Sequence, residues 1–259
     1  MRMMKKVLGT VTVLALSASL LAGCGSTAAS PVSSAASTAA ESTTSSVVSE
    51  TTSAAADENV AAAAQLLNDL TGSYQELWPV ILADEYQQTW LDDCTALVGE
   101  ENAEAAFEKL SSMVTGDVYG EDAVEAYANG GGAYFCGFTN NLATLTFDGE
   151  TSTISGTDKD GNVLFSHTYH YIGMEPVRGL YEFESDDADS GEFTYFFLAP
   201  DTSAETYHIE FRYGSDADAL SQYDAGDYAY WLASGISTDC DQTMIDNCIK
   251  LFCTENLAG

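Results

Sequence analysis

The stretch FTYFFLAPDTSAETYHIEFRYGSD, residues 193–216, contains two apolar runs joined through an Ala-Pro corner. In the second run apolar and polar residues alternate, and successive side chains of a β-strand point to opposite faces. One predicted face is apolar and aromatic: Tyr207, Ile209, Phe211 and Tyr213. The other is polar and is expected to face water: Thr206, His208, Glu210 and Arg212. The alternation therefore predicts a strand with one face in a core.

Other strands are predicted upstream of this stretch. Residues 142–173 are rich in Thr, Val, Phe and Tyr, and the pairs Asp148-Gly149 and Asp160-Gly161 are hairpin signals. Residues 101–128 and the C-terminal residues 240–252 have helical patterns. Short antiparallel strands with helices at both ends predict an α+β fold, mainly β, in which helices flank an antiparallel barrel.

The N-terminus predicts export. Three basic residues in MRMMKK precede an uncharged, mostly apolar run that is short for a membrane span. The run ends in Leu21-Ala22-Gly23-Cys24, which resembles the lipobox of bacterial lipoproteins. Residues 1–23 are therefore predicted to be a lipoprotein signal peptide and Cys24 its lipidation site, which would tether the protein to the extracytoplasmic face of the cell membrane. The alternative is an ordinary signal peptide with a chance cysteine.

Residues 24–57 are predicted to be the lipidated cysteine and a disordered linker of mostly Ser, Thr, Ala and Val, which cannot bury enough apolar surface to fold. All 3 Trp and all 14 Tyr lie beyond residue 58. Residues 58–259 are accordingly predicted to form one domain with a sizeable core.

The charge balance excludes two classes of partner. Removing residues 1–23 takes away 3 of the 8 basic residues and none of the 40 acidic ones, so the formal charge of −32 becomes −35. Such a chain is not expected to bind nucleic acid, and its contact with membrane is expected through the lipid anchor only. The negative electric field suits a cation, but acidity alone favours the simpler explanation of a solvated acidic surface.

Five cysteines remain after Cys24: Cys94, Cys136, Cys240, Cys248 and Cys253. Export permits disulfides, and the sequence leaves their pairing open. No CxxC spacing is present, so a zinc ribbon is not indicated. Cys248 and Cys253 lie in an apolar helical pattern, which favours the role of core filler.

Residues 183–220 resemble the central part of the ZinT family, the zinc-binding lipocalin-like domains that include the C-terminal domain of AdcA-type lipoproteins. LTGSYQELWPVIL, residues 70–82, is similar to the opening helix of the family, and HTYHYIG, residues 167–173, to its tyrosine-rich strand. The resemblance covers most of residues 66–253. It implies a calycin barrel flanked by helices that binds zinc near the barrel mouth for capture or delivery.

The resemblance implies three histidine ligands, of which this sequence keeps one. Phe196 stands four residues before the Pro of the Ala-Pro corner, and Thr206 stands first in the His-x-His pair, so only His208 matches. We expect a degenerate site in which His208 is joined by Glu205 or Glu210 and by His167 across the sheet. His167 and His170 are three residues apart on a strand and are expected to point to opposite faces.

No nucleophile with a paired base emerges, and the protein is not expected to be an enzyme. The sequence favours a lipoprotein that binds a divalent metal, most readily zinc, for capture, storage or delivery to a metal ABC transporter or its binding protein. The alternatives are that His208 is only a polar strand residue and that the barrel is a small-molecule-binding or transporter-docking module.

The lipobox predicts that Cys24→Ser releases the protein from membranes, because serine provides no thiol for lipid attachment. Fractionation of cells that produce either protein measures this, with Cys240→Ser as the control that removes a thiol elsewhere. Membrane association of Cys24→Ser at the level of the parent protein would contradict the prediction.

Overall fold

The computed structural model describes residues 47–200 and 203–258, and it describes side chains from residue 58 onwards with the exception of residue 205. The predicted signal peptide, Cys24 and the first part of the predicted linker lie outside the described residues. None of the helices in the described part of the chain is long and apolar enough to span a bilayer.

Eight antiparallel strands form a closed barrel in which each strand pairs with the next and the last pairs with the first. The strands are β1 Gly72–Glu76, β2 Thr144–Asp148, β3 Thr153–Thr157, β4 Val163–Met174, β5 Tyr181–Ser185, β6 Tyr195–Leu198, β7 Ile209–Gly214 and β8 Ala233–Ser237. The predicted α+β fold, an antiparallel barrel flanked by helices, is confirmed.

The described part of the chain also contains eight α-helices. They are α1 Val47–Asp69, α2 Leu77–Ile81, α3 Gln87–Val98, α4 Glu100–Val114, α5 Glu121–Ala128, α6 Ser203–Thr206, α7 Ala217–Leu220 and α8 Gln242–Leu257. Helix α1 begins inside the predicted linker, at Val47, because its alanines favour a helix more than linker composition suggests. Residues 72–76, which resemble part of an opening helix, form β1 instead.

The two predicted hairpins are present. After β2 the Asp148 carboxylate accepts hydrogen bonds from the backbone N–H groups of Glu150 and Thr151, at 3.1 and 3.3 Å. After β3, Gly161 adopts a φ of +82°, a conformation that favours glycine, and so turns the chain into β4. Local turn chemistry thus fixes the β2–β3–β4 register.

Two apolar clusters stabilise the domain. The first fills the barrel with inward-facing rings and aliphatic side chains, among them Phe147, Phe183, Phe196, Phe211 and Tyr213. The second lies outside the barrel and is built from the helical layer: Leu77, Trp78, Ile81, Trp90, Cys94, Leu110, Ile236, Cys248, Ile249 and Cys253. The predicted inward placement of Ile209, Phe211 and Tyr213 is correct, whereas Tyr207 packs against the second cluster.

The prediction that the polar face of β7 meets water is wrong at Arg212, because the side chain of this residue is fully buried. Residues 215–230, which include α7, cover this part of the barrel wall. The guanidinium donates hydrogen bonds to the carbonyl oxygens of Leu220, Gln222 and Tyr228, and it lies 4.4 Å from the centroid of the Tyr223 ring. One cation therefore holds the covering loop against the barrel.

We expect Arg212→Met to lower the free energy of unfolding by about 2–4 kcal/mol, because methionine fills the volume and leaves buried carbonyl oxygens without donors. Urea denaturation of both proteins measures the change. Lys159→Met, which removes an exposed cation in a turn, serves as the control and should change stability by less than about 0.5 kcal/mol. Equal effects of the two substitutions would contradict the role assigned to Arg212.

Candidate metal site

His208 lies just before β7 and not within it. Helix α6 ends at Thr206, and Tyr207 has a φ of +66°, so the chain turns sharply before the strand begins at Ile209. The predicted strand alternation therefore does not extend back to Thr206 and His208. The turn instead places the His208 ring beside the start of the strand, under the helical layer.

The turn fixes the orientation of the imidazole. The His208 Nδ1–H donates a 2.7 Å hydrogen bond to the carbonyl oxygen of Thr206, and the Thr206 hydroxyl donates one of 2.7 Å to the carbonyl oxygen of His208. Because Nδ1 carries the proton of the neutral ring, Nε2 is the free nitrogen, and it lies 3.7 Å from Glu210 Oε1. A backbone carbonyl on one ring nitrogen is the usual way in which proteins present the other to a metal.

The electrostatics of this pair favour its charged form. Burial alone would lower the pKa of His208, but hydrogen bonds to Cys248 and Glu210 and the charge of Glu210 outweigh it and raise the pKa well above 6.5. Burial alone would raise the pKa of Glu210, but His208 and the more distant Arg178 outweigh it, and this pKa is lowered. At neutral pH the two groups therefore form an imidazolium–carboxylate ion pair, and a metal ion has to displace the Nε2 proton of His208.

Two cysteines that the sequence did not assign to the site lie close to it. Cys248, on the buried face of α8, lies near His208 and helps to raise the pKa of its imidazole. Cys136 is buried beside Glu210 and Trp78, and burial raises its pKa to about 12, so it remains a neutral thiol. The apolar pattern of α8 identifies Cys248 as buried, and only the folded structure brings it to His208.

The fold does not place His167 beside His208, although we expected the two histidines to share one metal site. The ladders align His170 of β4 with Glu184, Tyr195 and Gly214 of the next three strands. His167 therefore lies beyond the C-terminal end of β7, whereas His208 precedes its N-terminal end. His167 contacts Asp187 and Phe165, whereas His208 contacts Thr206 and Glu210, so the two rings share no partner among these contacts.

Each of the other two histidines has its own carboxylate partner. The His167 Nδ1 lies 2.7 Å from Asp187 Oδ2, and its ring lies against Phe165 on the inner face of β4. The His170 Nδ1 lies 2.8 Å from Asp186 Oδ1 on the outer face. Side-chain exposures of 17% and 52% confirm that the two histidines point to opposite faces of the strand.

Two other positions were considered for the site from the sequence, Glu205 and Phe196. Glu205 belongs to α6, and its side chain is outside the described part of the structure. Phe196, which stands where the ZinT family has a histidine, is fully buried inside the barrel, with ring centroids 5.3 Å from Tyr213 and 5.4 Å from Tyr169. That position is now part of an apolar core.

Among the described residues, no group of three or more His, Cys, Asp or Glu side chains is placed to hold a metal ion. The donor set at His208 is therefore a pair. Two ligand atoms 2.0–2.1 Å from a tetrahedral zinc ion lie roughly 3.3 Å apart. The 3.7 Å gap between His208 Nε2 and Glu210 Oε1 needs to close by only a few tenths of an ångström, so this pair fits a divalent ion with water as the other ligands.

No protein-family model matches this sequence, and no curated protein sequence matches it. Solved structures do. The fold is similar to the Zn(II)-bound ZinT-like domain of Streptococcus pneumoniae AdcA. The TM-score is 0.45 and the identity 15%, over 71% of this chain and 89% of that domain.

The chain also matches Zn(II)-bound AdcA from Streptococcus pneumoniae, with a TM-score of 0.44 and 13% identity. This match covers 71% of the chain and 35% of AdcA, so the chain spans about a third of the length of that protein. The family that the sequence resembles is the one after which this ZinT-like domain is named.

The ion pair makes a pH-dependent contribution to stability. The raised pKa of His208 stabilises the fold below the unfolded value of about 6.5, and this contribution is lost as pH rises through the folded value. The lowered pKa of Glu210 stabilises the fold above its unfolded value of about 4.3, and this contribution is lost as pH falls through the folded value. The two contributions coexist at mildly acid pH, between roughly 4.3 and 6.5.

We therefore expect Glu210→Gln to lower the pKa of His208, because an amide accepts a hydrogen bond without attracting the imidazolium charge. Titration of the imidazole resonances by NMR measures this directly. Glu184→Gln, which removes the carboxylate near His170, is the matched control and should leave the His208 titration unchanged. An unaltered His208 pKa in Glu210→Gln would show that the pair does not interact.

Proposed function

We propose that this protein is an extracytoplasmic lipoprotein that binds a divalent metal ion, most readily zinc, at His208 and Glu210. The observation that supports the proposal is the bond from His208 Nδ1–H to the Thr206 carbonyl, which leaves Nε2 facing the Glu210 carboxylate. Metal capture, storage or delivery follows as its role, with no catalytic step.

Access and charge support the same role. Side-chain exposure is 18% for His208 and 38% for Glu210, so both side chains are partly open to solvent. The formal charge of −32 for the whole chain raises the local concentration of cations around the domain. Imidazole and carboxylate ligands both accept zinc readily.

A site with two oriented protein ligands binds zinc several orders of magnitude more weakly than a three-histidine site. Weak binding suits rapid exchange. In this proposal Cys24 anchors the protein to the outer face of the cell membrane, and the linker carries the domain to a metal ABC transporter or its binding protein, which takes up the released ion.

The interior of the barrel bears on the alternative of a small-molecule ligand. Aromatic rings occupy it: Phe165 stacks on Phe193 at 3.9 Å between centroids, and Tyr213 lies 5.3 Å from Phe196. A ligand in this space would have to displace packed rings. The metal proposal needs no such displacement, because His208 and Glu210 lie on the outer side of the barrel wall.

Isothermal titration of the full chain with zinc at neutral pH tests the proposal. We expect His208→Ala to weaken binding at least about tenfold, since it removes the one imidazole of the site. Excess calcium in the buffer occupies the acidic surface and limits non-specific binding. His170→Ala is the matched control because it also removes a histidine that pairs with carboxylates, and it should retain the parent affinity.

The same titration at several pH values adds a second readout. A proton competes with the metal for His208 Nε2, and the pKa of this group lies well above 6.5. Zinc affinity should therefore fall by about tenfold per pH unit below that pKa in the parent protein. Equal affinity of the parent and His208→Ala, with no such pH dependence, would refute the metal proposal.

A further inference from the structure

Two cysteine thiols meet in the helical layer. Cys94 lies in α3 and Cys253 in α8, both are fully buried, and their Sγ atoms are 3.9 Å apart. All five cysteines in the described part of the chain are free thiols. The pair joins two positions 159 residues apart in sequence, which no spacing rule would connect.

We propose that Cys94 and Cys253 form a disulfide bond when the protein folds in an oxidising environment. This inference goes beyond the proposed metal binding and is independent of it. It also revises the expectation that Cys253 only fills the core. An S–S bond is about 2.05 Å long, so the two sulfur atoms, now 3.9 Å apart, have to approach by roughly 2 Å.

The surrounding packing keeps the two helices in place for this bond. Trp90, one turn before Cys94 in α3, lies edge-on to Phe252 of α8, with 6.0 Å between ring centroids. Trp78 contacts the same Phe252 ring at 4.8 Å. The apolar contacts that surround the thiols therefore already set the spacing of the α3 and α8 backbones.

The other three thiols have different neighbours. Cys136 lies against Trp78 and Ser234, and Cys248 lies against His208. Cys240 is half-buried in the loop before α8 and interacts with the nearby acids Asp239 and Asp241. Of the five cysteines in the described part of the chain, Cys94 and Cys253 are the two whose sulfur atoms are in contact.

The reaction is thiol–disulfide exchange with a small disulfide such as oxidised glutathione. One cysteine thiolate attacks the oxidant, forms a mixed disulfide and releases one small thiol. The second cysteine then attacks the protein sulfur of the mixed disulfide, and the other small thiol leaves. Two protein thiols lose two electrons and two protons in total, and the oxidant gains both.

Burial determines when this reaction occurs. Burial raises the pKa of both Cys94 and Cys253, so the reactive thiolate is scarce once the helical layer has closed. Exchange is therefore expected while α3 and α8 are still docking. The same burial then shields the completed bond from reductants.

Oxidative refolding tests the pairing. Full-length protein carrying Cys24→Ser is reduced, unfolded and refolded in a glutathione redox buffer. Remaining thiols are then alkylated, and the protein is digested with trypsin without reduction. Cleavage after Lys109 and Lys250 places Cys94 and Cys253 each as the single cysteine of its peptide, residues 7–109 and 251–259. We expect these peptides to be joined by a disulfide.

Two results would overturn the proposal. One is recovery of both peptides alkylated and unlinked. The other is linkage of residues 251–259 to the peptides that contain Cys136, Cys240 or Cys248. Because the experiment contains no metal, its outcome does not depend on the proposed metal site.

A thermal measurement gives an independent readout. Closing so long a loop should raise the melting temperature by on the order of 10 °C, and a reductant in the unfolding experiment should remove this gain. The Cys94→Ala, Cys253→Ala double variant should melt at the same temperature with and without reductant. Cys240→Ala, the matched control, should keep the reductant sensitivity of the parent, and loss of that sensitivity would contradict the assigned pair.

Discussion

Hydrogen bonding between the first and the last strand is the constraint on which the domain depends. The ladder that joins Tyr74 of β1 to Ser237 of β8 closes the barrel and removes both sheet edges. Closure gives every strand one face in a single interior, which aromatic rings fill. The outer wall is then free to carry the helical layer, the loop held by Arg212, and the turn that presents His208.

Features that depend on local sequence were predicted well. The alternation of Ile209, Phe211 and Tyr213 places their side chains inside the barrel, as expected for a strand with one buried face. Helices α4, Glu100–Val114, and α5, Glu121–Ala128, match the predicted helical residues 101–128 to within one residue at each end. These elements follow from periodicity and turn chemistry, which residues close in sequence determine.

Features that depend on distant parts of the chain could not be predicted from one sequence. Arg212 is buried because a loop that follows β7 folds back over it, and nothing in the alternation of that strand indicates a cover. The positive φ of Tyr207 moves His208 out of the strand. In the candidate site Glu210 lies 3.7 Å from His208, whereas His167 has other partners, and nothing in the sequence indicates that Cys248 of α8 lies near His208.

The late position of β8 in the chain has a consequence for the timing of folding. The ribosome makes β1 early, but its second partner appears only when residues 233–237 have been synthesised, and α8 follows later still. Contacts so distant in sequence form slowly, because a long loop has to close before they stabilise anything. A chain of this design therefore completes its barrel only after most of its residues have been synthesised.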